Sequence, residues 1–419
     1  MKILVTTLGK GTPPKNNQQA VHGNYQTASY RFNDATSPET PTKFFGLALF
    51  RHLVKTRLKP DKIVVLGTST SMWDAWLESD GRLDQFADLA VELYDLQKPD
   101  APGVDAERLE RLSKALSDCF EVSFDCRLVP WGKTESEQMD ILSVLAGIVD
   151  PDDELILDVT HGFRHLPMLQ LLSSFLLRHL RGTRTTSIYY GALDMRDGNN
   201  NDPPVVPVLR LDGLTRLSKW FESLAVFERT GDVLPLSECA GIPDRIRDEL
   251  RRYQFKREMN EVVATVDGAR TVLRLLRNHN FDDPLFALFR PRLEELFSWS
   301  ESLNRCSEWQ LHQAKEALEN GSSFRAVVLL FESAVTGQME RKGIESRFLD
   351  DQAQRESAKN EIRASEFNLL RNFRNALVHG TDPDVADRNR IIDLRRNQAS
   401  FDSWARSTAA WVESFIRAN

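Results

Sequence analysis

The sequence has 419 residues, of which 41% are hydrophobic and 27% charged, and it carries a formal net charge of -7. Such a length predicts two or three domains, and the composition is ordinary for a globular protein. The acidic balance argues against a broad basic face that would hold duplex DNA, while it still allows nucleic acid to bind at a small local site.

We expect a cytoplasmic protein with no membrane-bound part. The first ten residues become polar too soon for a signal peptide, and no apolar run approaches the roughly 18 residues that a membrane-spanning helix needs. The cysteines are scattered and form no CxxC pair, so we predict reduced, buried thiols and no metal site. They are Cys119, Cys126, Cys239 and Cys306.

Strand-like and helix-like segments alternate up to residue 212. Residues 11–40, polar and rich in Asn, Thr and Pro, are predicted to form one long functional or mobile loop. The alternation predicts a Rossmann-like parallel sheet covered by helices on both faces. Strands are predicted over 2–7, 63–66, 121–129, 155–159, 186–190 and 205–211, and helices over 41–55, 82–95, 105–118, 137–149 and 166–180.

Residues 213–419 contain no convincing strand and are predicted to be all-helical. The chain is thus expected to combine an α/β domain over residues 1–212 with a helical region over the rest. Helices are predicted over 213–229, 243–265, 268–278, 286–305, 307–319, 323–341, 358–379 and 387–417.

Three predicted strands end in glycines and hydroxyl side chains, at residues 6–11 (TTLGKG), 67–71 (GTSTS) and 160–164 (THGFR). Ligands of parallel α/β sheets bind at this edge, where glycine lets them approach the backbone and N–H groups and hydroxyls bind phosphate. Lys10 and Arg164 would add positive charge. Taken one at a time, these segments also fit a turn with a helix cap, or a histidine with a purely structural role. Because three of them occur in one Rossmann-like half, we favour an anionic nucleotide ligand.

Two common nucleotide-binding motifs are missing. Residues 9–11 (GKG) are followed by Thr-Pro-Pro, which cannot open a helix at once, so the GxGxxG fingerprint is absent. No GxxxxGK[ST] motif occurs either. These absences argue against a classical dehydrogenase and against a P-loop NTPase.

The most specific signal in the second half is RNFRNALVHG, residues 371–380. Asn375 and His379 are four residues apart and so share a helix face, with Arg374 beside them and Gly380 as a helix stop. Metal-free RNA cleavage needs proton transfer and stabilisation of a phosphorane, which histidine and a guanidinium provide, while asparagine orients its partners. The same residues also fit a solvated helix end. A single histidine favours a symmetric dimer that brings two copies together.

These residues carry a family resemblance that covers essentially the whole chain. Residues 374–379 resemble the Arg-x4–6-His motif of HEPN ribonucleases. Residues 67–70 (GTST) and 158–164 (DVTHGFR) are similar to the CARF sensor domains of type III CRISPR systems. The resemblance implies a CARF domain over residues 1–212 and, over 213–419, linker helices with a HEPN domain.

What the resemblance implies about function is specific. A cyclic oligoadenylate, with cyclic tetra-adenylate favoured, would activate cleavage of single-stranded RNA by a homodimer or higher homo-oligomer, with no metal or other cofactor. The sensor would also be able to degrade its activator slowly. Arg374, Asn375 and His379 would be catalytic, and the ring would be bound by Thr7, Gly9, Lys10, Gly67, Thr68, Ser69, Thr70, His161, Gly162, Phe163 and Arg164.

Three other interpretations stay open. The chain would be a ligand-responsive binding module if its helical half recruits a partner without cutting RNA. It would be a small-molecule enzyme if the Rossmann-like half were itself catalytic. A DNA-cutting enzyme would usually need a metal-binding carboxylate cluster, which Asp34, Asp158 and Asp194 do not form by spacing.

Overall fold

The structure is a computed structural model that describes residues 1–10, 25–98, 100–197, 202–278, 283–345, 348–382 and 386–418. The chain divides into two compact units, Met1–Thr215 and Arg216–Asn419. The first is α/β and the second helical, which confirms the predicted fold class.

The first unit is built on a sheet that contains seven strands within the described residues, in the order β2-β7-β6-β5-β1-β3-β4. Neighbouring strands run parallel except β6 and β7, which are antiparallel. The strands are β1 (Lys2–Leu8), β2 (Ser29–Arg31), β3 (Lys62–Gly67), β4 (Ser123–Leu128), β5 (Glu154–Asp158), β6 (Arg184–Gly191) and β7 (Val205–Arg210).

Strand β1 lies at the centre of the sheet and shows why both faces are covered. Leu4 and Leu8 pack into one hydrophobic core, while Ile3 and Val5 pack into another on the opposite face. A strand covered on both faces is almost continuously apolar, as β1 is. The helices of this unit are α1 (Phe45–Lys55), α2 (Ala87–Leu96), α3 (Ala106–Phe120), α4 (Glu135–Ile148) and α5 (His165–Arg181), with 3₁₀ helices over Trp73–Ser79, Gly81–Phe86 and Leu193–Met195.

The helical half has two hydrophobic cores, one around Trp220 and Phe297 and the other around Phe373 and Trp404. Its helices are α6 (Gly213–Thr230), α7 (Leu234–Ser237), α8 (Asp244–Glu258), α9 (Val262–Asn278), α10 (Pro284–Phe297), α11 (Trp299–Ser302), α12 (Cys306–Glu319), α13 (Ser323–Arg341), α14 (Gln352–Glu361), α15 (Ser365–His379), α16 (Arg388–Arg396) and α17 (Gln398–Arg417).

The prediction of one loop over 11–40 was wrong in part. Residues 11–24 lie outside the described residues, but β2 pairs in parallel with β7 and its Tyr30 is buried. A three-residue strand is too short to show a period of two in the sequence. The sheet is also not wholly parallel, because β7 runs antiparallel to β6.

Four predicted helices each end earlier and continue as a second helix. The predicted 243–265 helix breaks where Asn260 adopts a left-handed conformation with φ 58°. The predicted 387–417 helix breaks at Asn397, whose side chain caps α17 by accepting the Ser400 N–H at 3.1 Å. The predicted 286–305 and 358–379 helices are likewise each two helices, α10 with α11 and α14 with α15.

Candidate functional site

The predicted ligand residues of the first unit meet at one edge of its sheet. Strands β5, β1 and β3 are adjacent and parallel, with Thr6 beside Asp158 and Leu8 beside Gly67. Their carboxyl ends, and the loops that follow them, therefore lie side by side.

The loops after β1 and β5 touch through their backbones. The Thr7 hydroxyl donates a hydrogen bond to the His161 carbonyl. A Cβ on Gly9 would lie 2.7 Å from the Gly162 Cα, which is too close for any side chain, and Gly162 has a φ of +103°. This contact by itself explains both glycines, so they need no ligand to account for them.

The loop after β3 turns its first hydroxyl inward. Thr68 is fully buried; its N–H donates to the Ser71 Oγ at 2.9 Å, and its carbonyl accepts the Trp73 indole N–H at 3.0 Å. The Ser71 hydroxyl in turn donates to the Leu8 carbonyl at 2.9 Å, which ties this loop to β1. Gly67 makes room for Trp73, because a Cβ there would lie 2.7 Å from the indole.

The next two hydroxyl residues of this loop are half-buried. The Ser69 carbonyl accepts the Val104 N–H at 2.8 Å. The Thr70 Oγ1 is buried and has no hydrogen-bond partner among the described residues. Of the four predicted residues in this loop, only Ser69 and Thr70 thus retain partial exposure.

The imidazole of His161 is packed as a structural group. Its ring centroid lies 4.6 Å from that of Tyr25 and 4.9 Å from that of Phe44. Its Nε2 accepts the Phe45 backbone N–H at 3.1 Å, at the start of α1. Burial lowers the pKa of His161 to about 3, so the ring is neutral and its proton is on Nδ1. The His161 Nε2 is therefore occupied by the Phe45 N–H and is not available to a ligand.

Asp158 is a buried carboxylate that organises the end of β5. It accepts hydrogen bonds from the Thr6 hydroxyl at 2.5 Å and from the Thr160 N–H at 2.9 Å. Burial raises its pKa to about 6, and the hydrogen bonds from Thr6 and Thr160 oppose that rise. The Thr160 hydroxyl accepts the Gly191 N–H at 2.8 Å, so Asp158 links three strands of the sheet.

The cations at this edge are exposed, and two lysines among them lie on an aromatic residue that the sequence analysis missed. Trp131, in the loop after β4, has the Lys10 Nζ 5.5 Å and the Lys133 Nζ 5.1 Å from its ring centroid. The Phe163 ring lies 5.0 Å away. Within the described part of the chain, Lys10, Lys133 and Arg164 form no ion pair. The signal in the sequence was an aromatic residue and a lysine (WGK) directly after a strand.

The predicted catalytic residues lie on α15 of the second unit, which ends at Gly380 in a left-handed conformation with φ 65°. Phe373 is buried in the core, whereas Asn375 and His379 are exposed on successive turns. The helical spacing thus places the asparagine and the histidine on one solvent-facing surface.

Arg374 is half-buried and held from two sides. Its guanidinium carbon lies 5.3 Å from the Phe331 ring centroid on α13, and its Nη1 donates to the Asn375 Oδ1 at 3.2 Å. Its Nε is buried and has no acceptor among the described residues. The contact with Phe331 fixes the direction of the guanidinium, and no carboxylate within the described residues neutralises it.

A groove of about 350 Å³ between α13, α14 and α15 contains Arg374 and Asn375 but is not lined by His379. Two of its cations are paired, Arg355 with Glu332 and Lys359 with Glu356. Arg371 and Arg374 form no ion pair in the described part of the chain. The groove is lined by Phe331, Glu332, Val335, Asp350, Gln352, Arg355, Glu356, Lys359, Arg371, Arg374 and Asn375.

Metal-binding and membrane-spanning features are both missing from the residues that the structure describes. Among them, no group of three or more His, Cys, Asp or Glu side chains is arranged so that it could hold a metal ion. No described helix combines the length and the apolar character that crossing a membrane requires. The four cysteines form no disulfide.

Comparison with known proteins gives a family match for the first unit. Residues 3–194 match the family model described as CRISPR system endoribonuclease Csx1, CARF domain. The chain is 23% identical over 407 residues to CRISPR-associated protein MJ1674 of Methanocaldococcus jannaschii, covering 90% of this chain. It spans 62% of the length of that relative.

A solved structure is more distantly similar. Enterococcus italicus Csm6, bound to cyclic hexa-2'-fluoro-hexa-dAMP, matches with a TM-score of 0.37 and 12% identity, over 100% of this chain and 96% of that one. The family match and the relative agree with the resemblance carried by residues 67–70 and 158–164. Residues 3–194 are therefore similar to the CARF domain of the Csx1 endoribonuclease family.

Proposed function

We propose that this chain is an endoribonuclease that cuts single-stranded RNA without a metal ion when a cyclic oligoadenylate binds its CARF domain. The observation that carries the sensing role lies at the sheet edge where parallel α/β proteins bind ligands. Arg164 is exposed there after β5, and Lys10 and Lys133, which form no ion pair among the described residues, converge on Trp131. Phosphodiester groups are the anions that such a cluster fits best.

The binding residues we propose are those at this edge, in two roles. Lys10, Phe163 and Arg164 offer charge and an aromatic surface to the ligand. Ser69 is partly exposed, and the Thr70 hydroxyl is buried but has no hydrogen-bond partner among the described residues. The remaining candidates shape the edge instead: Thr7, Gly9, Gly67, Thr68, His161 and Gly162 are engaged in contacts between the loops.

The catalytic role rests on α15, which we assign to a HEPN domain. Arg374 would stabilise the phosphorane, because its guanidinium lies on Phe331 and forms no ion pair among the described residues. His379 would transfer protons between the 2′-hydroxyl and the leaving oxygen, and Asn375 would orient Arg374 and the substrate. The exposure of Asn375 and His379 leaves room for RNA.

A homodimer would complete this mechanism by supplying a second histidine. The first unit offers a surface for it: α5 exposes Met168, Leu172, Leu176 and Leu180, with exposed fractions of 65%, 62%, 41% and 65%. These residues recur every fourth position and so form one apolar ridge. Such a ridge on a helix is typical of a buried interface, and two copies of it would be self-complementary about a two-fold axis.

The same symmetry suits a ring of four or six nucleotides, and of these we propose cyclic tetra-adenylate as the activator. A ring of four nucleotides across a two-fold axis presents the same contacts to both copies, and binding would shift the helical units between open and competent arrangements. If the sensor also degrades its ring slowly, Lys10 is the candidate that remains exposed, because Thr68 is buried and the Nε2 of His161 is occupied.

The test is RNA cleavage in EDTA. We would incubate the protein with fluorescent single-stranded RNA, alone and with cyclic tri-, tetra- or hexa-adenylate, beside His379→Ala. Cleavage that requires one ring and is lost in the variant is the expected result. Cleavage at the same rate with and without every ring would contradict the proposed coupling.

A ligand-responsive binding module is the second candidate function. It is favoured by the groove beside Arg374, which is not lined by His379, so that a single copy presents no complete acid–base pair there. A protein that binds a ring tightly but cuts no RNA with any ring would have this function.

A further inference from the structure

The loop after β4 adds a tryptophan and a lysine to the ring-binding edge. The Lys133 Nζ lies 5.1 Å and the Lys10 Nζ 5.5 Å from the centroid of the Trp131 ring. These two lysines come from loops that follow different strands, β1 and β4, yet both ammonium groups converge on one indole.

These two ammonium groups differ from other lysines of this unit in having no carboxylate beside them among the described residues. Elsewhere in the same unit lysines pair with carboxylates, as Lys62 does with Asp125 at 2.8 Å and Lys43 with Glu78 at 2.7 Å. Lys10 and Lys133 have no carboxylate partner among the described residues. A cation–π contact at an exposed site is weak and uses none of the ammonium N–H donors, so both groups keep donors for an anion.

The indole itself is firmly held. The Trp131 carbonyl lies 2.6 Å from the His165 Nε2 at the start of α5, and the Trp131 ring is tilted by 37° against the Phe163 ring, with their centroids 5.0 Å apart. Gly132 has a φ of +72°, and a Cβ there would lie 3.0 Å from the same His165 nitrogen. The loop is thus fastened to the residues that follow β5, and Trp131 is a rigid support on which two flexible side chains rest.

We propose that Lys10 and Lys133 bind adjacent phosphodiester groups of the oligoadenylate, with Trp131 as the positioning residue for both ammonium groups. This inference rests on the proposed function and adds Trp131 and Lys133 to the ring site. The indole lowers the conformational freedom of two long side chains before the ligand arrives, which reduces the entropic cost of binding.

The experiment measures the affinity of the whole chain for cyclic tri-, tetra- and hexa-adenylate by isothermal titration, over a series of salt concentrations. The variants are Lys133→Ala, Trp131→Ala, Trp131→Phe and the double change of Trp131 and Lys133 to Ala. Lys114→Ala, an exposed lysine on α3, is the matched control. Thermal melting checks that each variant is folded.

Lys133→Ala is expected to weaken binding about tenfold and to lower the salt slope of the binding constant by about 0.7, the value for one lost phosphate contact. Trp131→Ala is expected to weaken binding more than Lys133→Ala, and Trp131→Phe to restore most of the loss. The two losses should not add in the double variant, because the lysine loses its support when the indole is removed.

Each outcome is decisive. Wild-type binding with an unchanged affinity and salt slope in Lys133→Ala would overturn this inference and leave the proposed function standing. Additive losses in the double variant would remove the positioning role of Trp131. A wild-type protein that binds no cyclic oligoadenylate would overturn the proposed function and this inference with it.

Discussion

Replacing Asp158 with asparagine is expected to stabilise the first unit at neutral pH. The pKa of this carboxyl is about 6 in the folded chain, against 3.8 for an ordinary aspartate, because burial disfavours its charged form. The folded state therefore holds a proton more tightly than the unfolded state does. Stability is then greatest below about pH 4, falls as the pH rises to about 6, and stays lower above it.

The size of the effect follows from the shift. About two pKa units correspond to roughly 3 kcal/mol, at 1.36 kcal/mol per unit. An asparagine at this position would not ionise, and its side-chain oxygen can still accept a hydrogen bond from Thr6 or Thr160. Asp158→Asn is therefore expected to gain up to about 3 kcal/mol at pH 7 and nothing at pH 4.

The assay is hydrogen–deuterium exchange of β1 and β5 amides between pH 4 and 8, corrected for intrinsic exchange rates, because it reports on the first unit without the second. Asp125→Asn is the matched control, and it is expected to change the stability of the first unit in the opposite direction. Burial opposes ionisation of Asp125, but hydrogen bonds from Arg127 and Lys62 outweigh it and lower the pKa. This carboxylate thus stabilises the fold above the pKa of an ordinary aspartate, and its replacement should cost stability at pH 7. An Asp158→Asn protein that is less stable than wild type at pH 7 would refute this reasoning.

Three further outcomes are expected. Gly9→Ala should destabilise the first unit by about 1–3 kcal/mol in the same exchange assay, because the new Cβ would meet the Gly162 backbone at 2.7 Å; Gly147→Ala, where nothing lies within 4 Å, is the control. Leu172→Glu should convert a dimer to a monomer in sedimentation velocity, since it places a charge in the centre of the exposed ridge of α5; a variant that still dimerises would show that the ridge is not the interface. Arg374→Lys should keep ring affinity but reduce RNA cleavage by at least about tenfold, because an ammonium group lacks the planar fork of the guanidinium. Unchanged cleavage by that variant would remove Arg374 from the mechanism.

The sequence alone was enough for the fold class and for the resemblance of the first unit to CARF domains. Apolar runs such as residues 63–66 and 155–159 mark strands covered on both faces, and these signals are local, so no tertiary information is needed to read them. The GTST and DVTHGFR segments sit directly after such runs, and the CARF family match of residues 3–194 confirms the resemblance they carry. The prediction that residues 374, 375 and 379 are catalytic stays a prediction.

Helix breaks were harder to predict, because they depend on single residues. Asn260 and Asn397 each end or cap a helix inside what reads as one continuous amphipathic pattern. An asparagine is tolerated on an exposed helix face as well, so its capping role is visible only when the backbone around it is known.

Only the tertiary structure decided which residues at the sheet edge are engaged in contacts within the fold and which are available to a ligand. His161 and Thr68 look like ligand contacts in the sequence, but folding buries them in hydrogen bonds to Phe45 and Ser71. Trp131 looks like one more aromatic residue after a strand, yet folding brings Lys10 and Lys133 onto its ring. The contacts of His161 with Phe45 and of Trp131 with Lys10 depend on which strands become neighbours, because each of these pairs is more than a hundred positions apart in the chain.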